Sequence, residues 1–452
     1  MSAPVDGAIE SLRVRGPARA LGGDVQVPGD KSIGHRAVLF AALAEGQAVV
    51  RGLSGGEDNR STIGVLRALG VAIRDAGHGV VAVDGRGLDG LRAPAGELDC
   101  GNSGTSMRLF AGLLASRPFQ ARLVGDQYLH ARPMRRVVDP LRQMGARVEG
   151  LAGKKAGELY PPLTLGPLPA GARLHAIAWT SKVASAQVKS AIVLAGLCGD
   201  GPTTIVEPER SRDHTERMLA HMGAPLTVAG LSVTVDPRGW DGRLAARDLM
   251  VPGDLSSAAF LLGAAAVVPH SRIVIRGVGV NPTRTGVLDA LRAMGATIDV
   301  SDERLIGGEP VADLSCVGGA LRGIRIAGEL AVRAIDELPL LAAVAAHAEG
   351  ETRIADAAEL RVKESDRVAA TAAMLRALGV EVEEHPDGLT VRGGHGTRAG
   401  VVESHGDHRI AMAGAVCALG ARGETLIRDT RNVATSFPGF AAALATLGAD
   451  LG

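Results

Sequence analysis

Aromatic residues are scarce: six Phe, two Tyr and two Trp make up only 2% of the 452-residue chain. With 46% hydrophobic residues there is still ample material for sizeable cores, so those cores must be close-packed Ala, Val, Leu and Ile. Charge of one sign is missing too, since 49 basic residues face 49 acidic ones. That excludes the global Lys and Arg excess of a nucleic-acid or membrane-surface protein, and any anion site must arise from cations that converge locally. The four cysteines, Cys100, Cys198, Cys316 and Cys417, lie far apart without metal-type spacing and read as buried thiols. The first residues carry neither the basic nor the apolar region of a signal peptide, and the longest apolar stretch, around 258–268, is too short to span a bilayer. The expectation is a cytoplasmic chain with no membrane or nucleic-acid partner.

What is present is a repeat. One phrase returns six times: Leu66-Arg-Ala-Leu-Gly70-Val, Leu141-Arg-Gln-Met-Gly145-Ala, Leu219-Ala-His-Met-Gly223-Ala, Leu291-Arg-Ala-Met-Gly295-Ala, Leu375-Arg-Ala-Leu-Gly379-Val and Leu444-Ala-Thr-Leu-Gly448-Ala. Its glycines fall 69 to 84 residues apart. Each phrase reads as a helix end capped by glycine, followed by a strand such as 296–300. The period is too long for a solenoid and suits a small α/β unit copied six times.

A second pattern runs out of phase with the first. Polar loops open into apolar helical runs at Pro28-Gly-Asp-Lys-Ser32, Gly101-Asn-Ser-Gly-Thr105, Ser185-Ala-Gln187, Pro252-Gly-Asp-Leu-Ser256, Asp336-Glu337 and Gly406-Asp-His-Arg409. Asp, Ser and Asn there are explained by helix capping alone. Capping does not explain Lys31, Arg36, Arg108 and Arg409, because cations near a helix start oppose its dipole unless an anion sits there. The loops therefore read as a shared anion site. Turn-rich stretches at 20–23 and 236–242 suggest two three-unit halves joined by two crossings. The expected domains are 22–245, and 1–21 together with 246–452, with the active site in the cleft between them.

These motifs together resemble the 5-enolpyruvylshikimate-3-phosphate synthase family. The likeness is carried by Gly29-Asp-Lys-Ser-Ile-Gly-His-Arg36, Gly101-Asn-Ser-Gly-Thr-Ser-Met-Arg108, Ala131-Arg-Pro-Met134, Ser185-Ala-Gln-Val-Lys-Ser190, Arg361-Val-Lys-Glu-Ser-Asp-Arg367, Gly406-Asp-His-Arg-Ile-Ala-Met412 and Ala434-Thr-Ser-Phe-Pro438. The wording at 211–216 and 281–286 is similar to the family's second class. The resemblance implies an α/β fold of two domains, each an inside-out barrel of three βαβαββ-type repeats. It implies condensation of phosphoenolpyruvate with shikimate 3-phosphate, without metal or cofactor, by a monomer. Two phosphates and two carboxylates demand several fixed cations; Arg suits bidentate pairing and Lys supplies a point charge.

Residue by residue, the resemblance assigns shikimate 3-phosphate to Lys31, Ser32, Arg36, Ser185, Ala186, Gln187, Arg212, Asp336 and Lys363. Phosphoenolpyruvate falls to Lys31, Gly104, Arg132, Gln187, Arg367 and Arg409. Asp336 is the expected base for the attacking hydroxyl, and Lys31 or Glu364 the acid that protonates the methylene carbon. Plainer readings stand beside these: Ser32 and Ser185 as caps, Arg108 as a structural arginine, Arg361 as a salt-bridged strand residue, and Glu364 as an ion-pair partner. His405 and His408 gather no third ligand, so no metal site is expected. At the position of Gly104, relatives tolerant of the inhibitor glyphosate carry alanine. The competing functions are the sister transfer to UDP-N-acetylglucosamine, transfer to another cyclitol phosphate, and a non-catalytic binding protein.

Overall fold

The structure, a computed structural model, describes residues 10–153 and 156–452. All six phrase glycines adopt left-handed backbone, with φ from 78° at Gly379 to 112° at Gly295. In each phrase the residue after glycine donates its N–H back to the phrase's first carbonyl, as in Val71 to Leu66 and Ala296 to Leu291. These 6→1 bonds close the helix end, and only glycine takes that conformation at little cost.

The second repeat shows the plan. Strand Leu98–Asp99 leads into the buried helix Gly104–Leu114, then strand Ala121–Val124, the outer helix Arg135–Gln143, and strands Val148–Ala152 and Leu159–Leu165. The first strand runs parallel to the second, which pairs antiparallel with the last, which in turn pairs with the third. The same order recurs at 178–235 and at 325–393. Among the described residues six sheets result, one per repeat.

Repeats one and four exchange first strands. Gly22–Gln26 lies parallel to Arg272–Gly279, while Leu244–Ala245 and Leu249–Met250 lie parallel to Ala44–Arg51. The sixth repeat is completed by Ser11–Gly16, antiparallel to Gly423–Arg428. This pairing divides the chain into two compact units. Unit one runs through Asp30 and resumes at Pro252–Leu305 and Pro310–Gly452; unit two is Lys31–Val251 with Ile306–Glu309. The divisions lie at 31 and 252, whereas the turn-rich stretches suggested 22 and 246. The difference is made by the exchanged strands, since turn chemistry marks bends and carries no information about pairing partners.

Each unit has its own apolar core. In unit one it is built on Leu255–Val267, Leu338–Ala345 and His408–Leu419, helices buried along their whole length. In unit two it is built on Lys31–Leu43, Gly104–Leu114 and Ala186–Gly196. Helices surrounded by apolar neighbours are apolar all round, which is why these runs show little amphipathic period. Close approach explains the shortage of aromatics. A Cβ on Gly112 would meet the Ala191 carbonyl at 2.1 Å, and one on Gly263 would meet Leu340 at 2.8 Å. Cys100, Cys316 and Cys417 are buried free thiols; Cys198 is only half-buried, and its sulfur accepts from Arg117 at 3.0 Å. Among the described residues no helix is long and apolar enough to cross a membrane.

Candidate active site

The six polar loops all sit at the starts of the buried helices. In unit two, Lys31 opens the first, with Nζ 2.9 Å from Asp58 and its carbonyl accepting from Asn59 at 3.1 Å. One turn later the Arg36 guanidinium is buried. It donates to Thr215 Oγ1 at 2.7 Å, Ser190 Oγ at 2.9 Å and the Ser32 carbonyl at 2.9 Å, linking the first helix to the third. Ser185 stands at the N-cap of the third helix, yet its hydroxyl makes no capping bond. Ala186 and Gln187 begin that helix, and the Gln187 amide donates to Thr105 Oγ1 at 2.9 Å. Half-buried Arg212 follows Ser211, just ahead of the outer helix His214–His221.

Gly104 is the first residue of the second buried helix, capped by the Ser103 hydroxyl. The guanidinium nitrogens of Arg108 and Arg132 each lie 2.8 Å from where its Cβ would stand. Arg108 donates to the Gln187 side-chain oxygen, and Arg132 to Asn102 Oδ1 at 2.7 Å. Arg108 was read from sequence as structural; the structure sets it beside Gly104, Arg132 and Gln187.

Unit one holds a denser cluster. One Asp336 oxygen lies 3.4 Å from Lys363 Nζ and 3.4 Å from Arg367 Nη1; its other oxygen is 4.0 Å from Arg409 Nη2. Arg409 also donates to the Asp336 carbonyl at 2.9 Å and approaches Glu337 at 3.3 Å. Arg367, 1% exposed, grips buried Asp407 through Nε at 2.8 Å and Nη2 at 3.2 Å, and pairs with Glu364 at 2.7 Å. Burial pushes the Asp407 carboxyl up, but the charges of Arg367 and His408 outweigh that and hold it below the usual aspartate range. Asp407 also caps the sixth buried helix through the Arg409 N–H at 2.9 Å. Burial and neighbouring Asp30 push Asp254 up to about 6, against Arg284 and Arg409. Arg361 pairs with Asp366 at 2.8 Å from a 3-10 turn, Ala358–Val362, and not from a strand as expected.

The structure therefore gathers Asp336, Lys363, Glu364, Arg367 and Arg409 in one cluster, and Gly104, Arg132 and Gln187 in another. Lys31 and Glu364, the two candidate acids, belong to different units and are engaged by Asp58 and Arg367 respectively. Sequence reasoning gave no role to Asp407, Glu337 or Ser256, whose hydroxyl bonds Glu337 and Arg409. The signal was faint but present: all three lie inside the quoted helix-start loops, where Asp407 and Ser256 were explained by capping. Among the described residues no three His, Cys, Asp or Glu side chains gather as a metal-holding group.

The profile of the EPSP synthase (3-phosphoshikimate 1-carboxyvinyltransferase) family matches residues 15–444. The 3-phosphoshikimate 1-carboxyvinyltransferase of Geobacter metallireducens is 51% identical over 433 residues, covering 96% of this chain and 98% of the relative. That of Gloeobacter violaceus is 53% identical over 425 residues, with 94% and 96% covered. A solved EPSP synthase from Acinetobacter baumannii superposes with a TM-score of 0.85 at 41% identity, covering 98% of this chain and 99% of its own.

Proposed function

The chain belongs to the EPSP synthase family, and from that premise we propose how its two clusters share the family's reaction. The enzyme transfers the carboxyvinyl group of phosphoenolpyruvate to the 5-hydroxyl of shikimate 3-phosphate and releases phosphate, on the shikimate route to chorismate and aromatic amino acids. By the family resemblance, Lys31, Ser32, Arg36, Ser185, Ala186, Gln187, Arg212, Asp336 and Lys363 take the phosphate-bearing ring. Arg132, Arg367 and Arg409, with Gly104, Gln187 and Lys31, hold phosphoenolpyruvate.

In this reading Asp336 removes the hydroxyl proton, and its charge stabilises the oxocarbenium-like centre formed when the methylene carbon is protonated. Either Lys31 or Glu364 delivers that proton. Reversal of the two roles expels phosphate from the tetrahedral adduct. The observation that carries the reading is the Asp336 carboxylate, within 4.0 Å of Lys363, Arg367 and Arg409. Three cations fixed beside one carboxylate suit two anionic substrates that meet next to a base. We also assign the enzyme to the cytoplasm, in keeping with its free thiols, and to a monomeric state that gel filtration checks.

The competing acceptors are disfavoured by near full-length relatives at 51–53% identity that carry the shikimate name. Phosphate release from phosphoenolpyruvate tests the reading: it requires shikimate 3-phosphate and does not proceed with UDP-N-acetylglucosamine. Asp336→Asn should lower kcat by ~10²–10⁴, the range for acid–base groups, while calorimetry still detects shikimate 3-phosphate binding. Near-normal turnover in that variant removes Asp336 as the base.

A further inference from the structure

Behind the loops assigned to the shikimate phosphate lies a buried ionic cluster that the reaction does not use. Glu207, 4% exposed, follows strand Thr203–Val206, which pairs with its parallel neighbour Ala178–Thr180. Its Oε1 accepts the Ser185 backbone N–H at 2.9 Å. Both its oxygens receive the Ser211 hydroxyl, at 2.7 and 2.8 Å. Its Oε2 lies 2.8 Å from the ammonium of Lys189, 3% exposed, which also pairs with Glu216 at 2.7 Å and donates to the Ser211 carbonyl at 3.4 Å. Burial pulls the Lys189 pKa down, but Glu216 and Glu207 more than offset it, and the ammonium stays charged.

A carboxylate with about four lone-pair positions thus ties together a sheet strand, the cap of the third buried helix and the residue before Arg212. The cluster's charges are balanced among themselves, Arg217 also facing Glu216. What it contributes to the substrate loops is geometry, through the Ser185 N–H and the Ser211 hydroxyl. It also occupies the Ser185 N–H, which leaves the hydroxyl as the group Ser185 can offer a ligand.

We propose that Glu207 is a positioning residue that sets the separation of Ser185 and Arg212 and thereby the grip on the phosphate-bearing substrate. The inference rests on the function proposed above. Glu207→Gln keeps the shape, turns one acceptor into a donor, and leaves Lys189 to Glu216 alone. Loss of charge-assisted bonds of this kind should raise KM for shikimate 3-phosphate ~10- to 100-fold, with kcat and the phosphoenolpyruvate KM changed by less than about threefold. Ser211→Ala cuts one link and leaves Ser185 alone; it should give a smaller rise, and it decides the matter if Glu207→Gln does not fold. Arg212→Ala is measured alongside. If it leaves KM for shikimate 3-phosphate unchanged, the assignment of this loop to the substrate fails. If it raises that KM while folded Glu207→Gln and Ser211→Ala leave it unmoved, the positioning role fails. A rise shared equally by both substrates, or a fall in kcat alone, also overturns it, since a merely structural residue would act that way.

Discussion

Replacing Gly104 with alanine adds one methyl at a closely defined place. Built on the existing backbone, the new carbon would stand 2.8 Å from Nη1 of Arg108 and from Nη1 of Arg132. Ordinary contact is roughly 3.5 Å, so each guanidinium must retreat by roughly 0.7 Å. Neither moves without loss: Arg108 and Arg132 are 3% and 7% exposed, and they are tied to Gln187, the Pro133 carbonyl and Asn102. The backbone raises no objection, because Gly104 is helical and outside the left-handed region, where alanine is the better helix former by up to ~1 kcal/mol. The strain therefore falls on the arginines. Overpacking by a methyl costs about 1–3 kcal/mol, which as lost affinity is roughly a 5- to 100-fold rise in KM for phosphoenolpyruvate. Steady-state kinetics with a melting curve reads this directly: that KM rises, KM for shikimate 3-phosphate stays within about twofold, and Tm falls only slightly, because the gain in helix propensity offsets part of the strain. By the family resemblance the longer inhibitor glyphosate shares this spot and should lose more affinity than phosphoenolpyruvate does. A lowered Tm with unchanged phosphoenolpyruvate KM would refute the reasoning, since the fold and not the site would then have absorbed the methyl.

Two further substitutions probe the framework. Asp407→Asn leaves the Arg367 guanidinium, 1% exposed, short of its main partner and should cost about 3–5 kcal/mol of stability near neutral pH. Because the folded-state pKa of Asp407 is lowered, its contribution is present above the ordinary aspartate value of about 3.9 and is lost as pH falls through the folded value. Urea unfolding from pH 3 to 7 should thus show wild type and variant converging at the acid end; a gap that does not narrow there contradicts the assignment. Gly223→Ala and Gly295→Ala separate backbone strain from crowding. Both glycines are left-handed, at φ 87° and 112°, but a Cβ at 223 meets nothing within 4 Å, whereas one at 295 meets the Ala320 carbonyl at 2.4 Å. The first should cost about 1–2 kcal/mol and the second clearly more by thermal unfolding; equal losses would mean that conformation alone selects glycine at both.

The repeat was legible because its signal is chemical and local: glycine after an apolar helix end has one common reason, and all six examples obey it. The helix starts were legible in the same way, with Ser103, Asp254 and Asp407 capping as their residue types suggest. What sequence could not carry is pairing at a distance. Residues 22–26 fall inside the first expected domain, 22–245, yet their hydrogen bonds go to residues about 250 positions away. Side-chain direction was equally hidden. Arg108 and Arg36 both sit in the first turns of buried helices, but only the fold decides that Arg108 borders Gly104 while Arg36 crosses to Ser190 and Thr215.

Cations at the helix starts looked anomalous in sequence because the helix dipole opposes them, and the two units resolve that conflict differently. In unit one the protein supplies the anions: Asp254 and Asp407 cap their helices, and Asp336, Glu337 and Asp407 face Arg367 and Arg409. In unit two Asp58 pairs with Lys31 at the start of the first buried helix and Glu207 with Lys189 in the third, whereas Arg36, Arg108 and Arg132 donate to hydroxyl, carbonyl and amide oxygens of Thr215, Ser190, Ser32, Gln187 and Asn102. A bond to a neutral oxygen contributes about 0.5–1.5 kcal/mol, one to a charged group about 1.5–3. An incoming phosphate or carboxylate therefore displaces neutral partners at less cost than it could displace a carboxylate. The loops of unit two proposed for shikimate 3-phosphate include such bonds to neutral oxygens. In unit one Lys363, Arg367 and Arg409 hold the Asp336 carboxylate in a fixed position, as its proposed part as the base asks. That contrast favours placing the base at Asp336 and the main phosphate grip among the loops around Ser32, Arg36, Ser185 and Arg212.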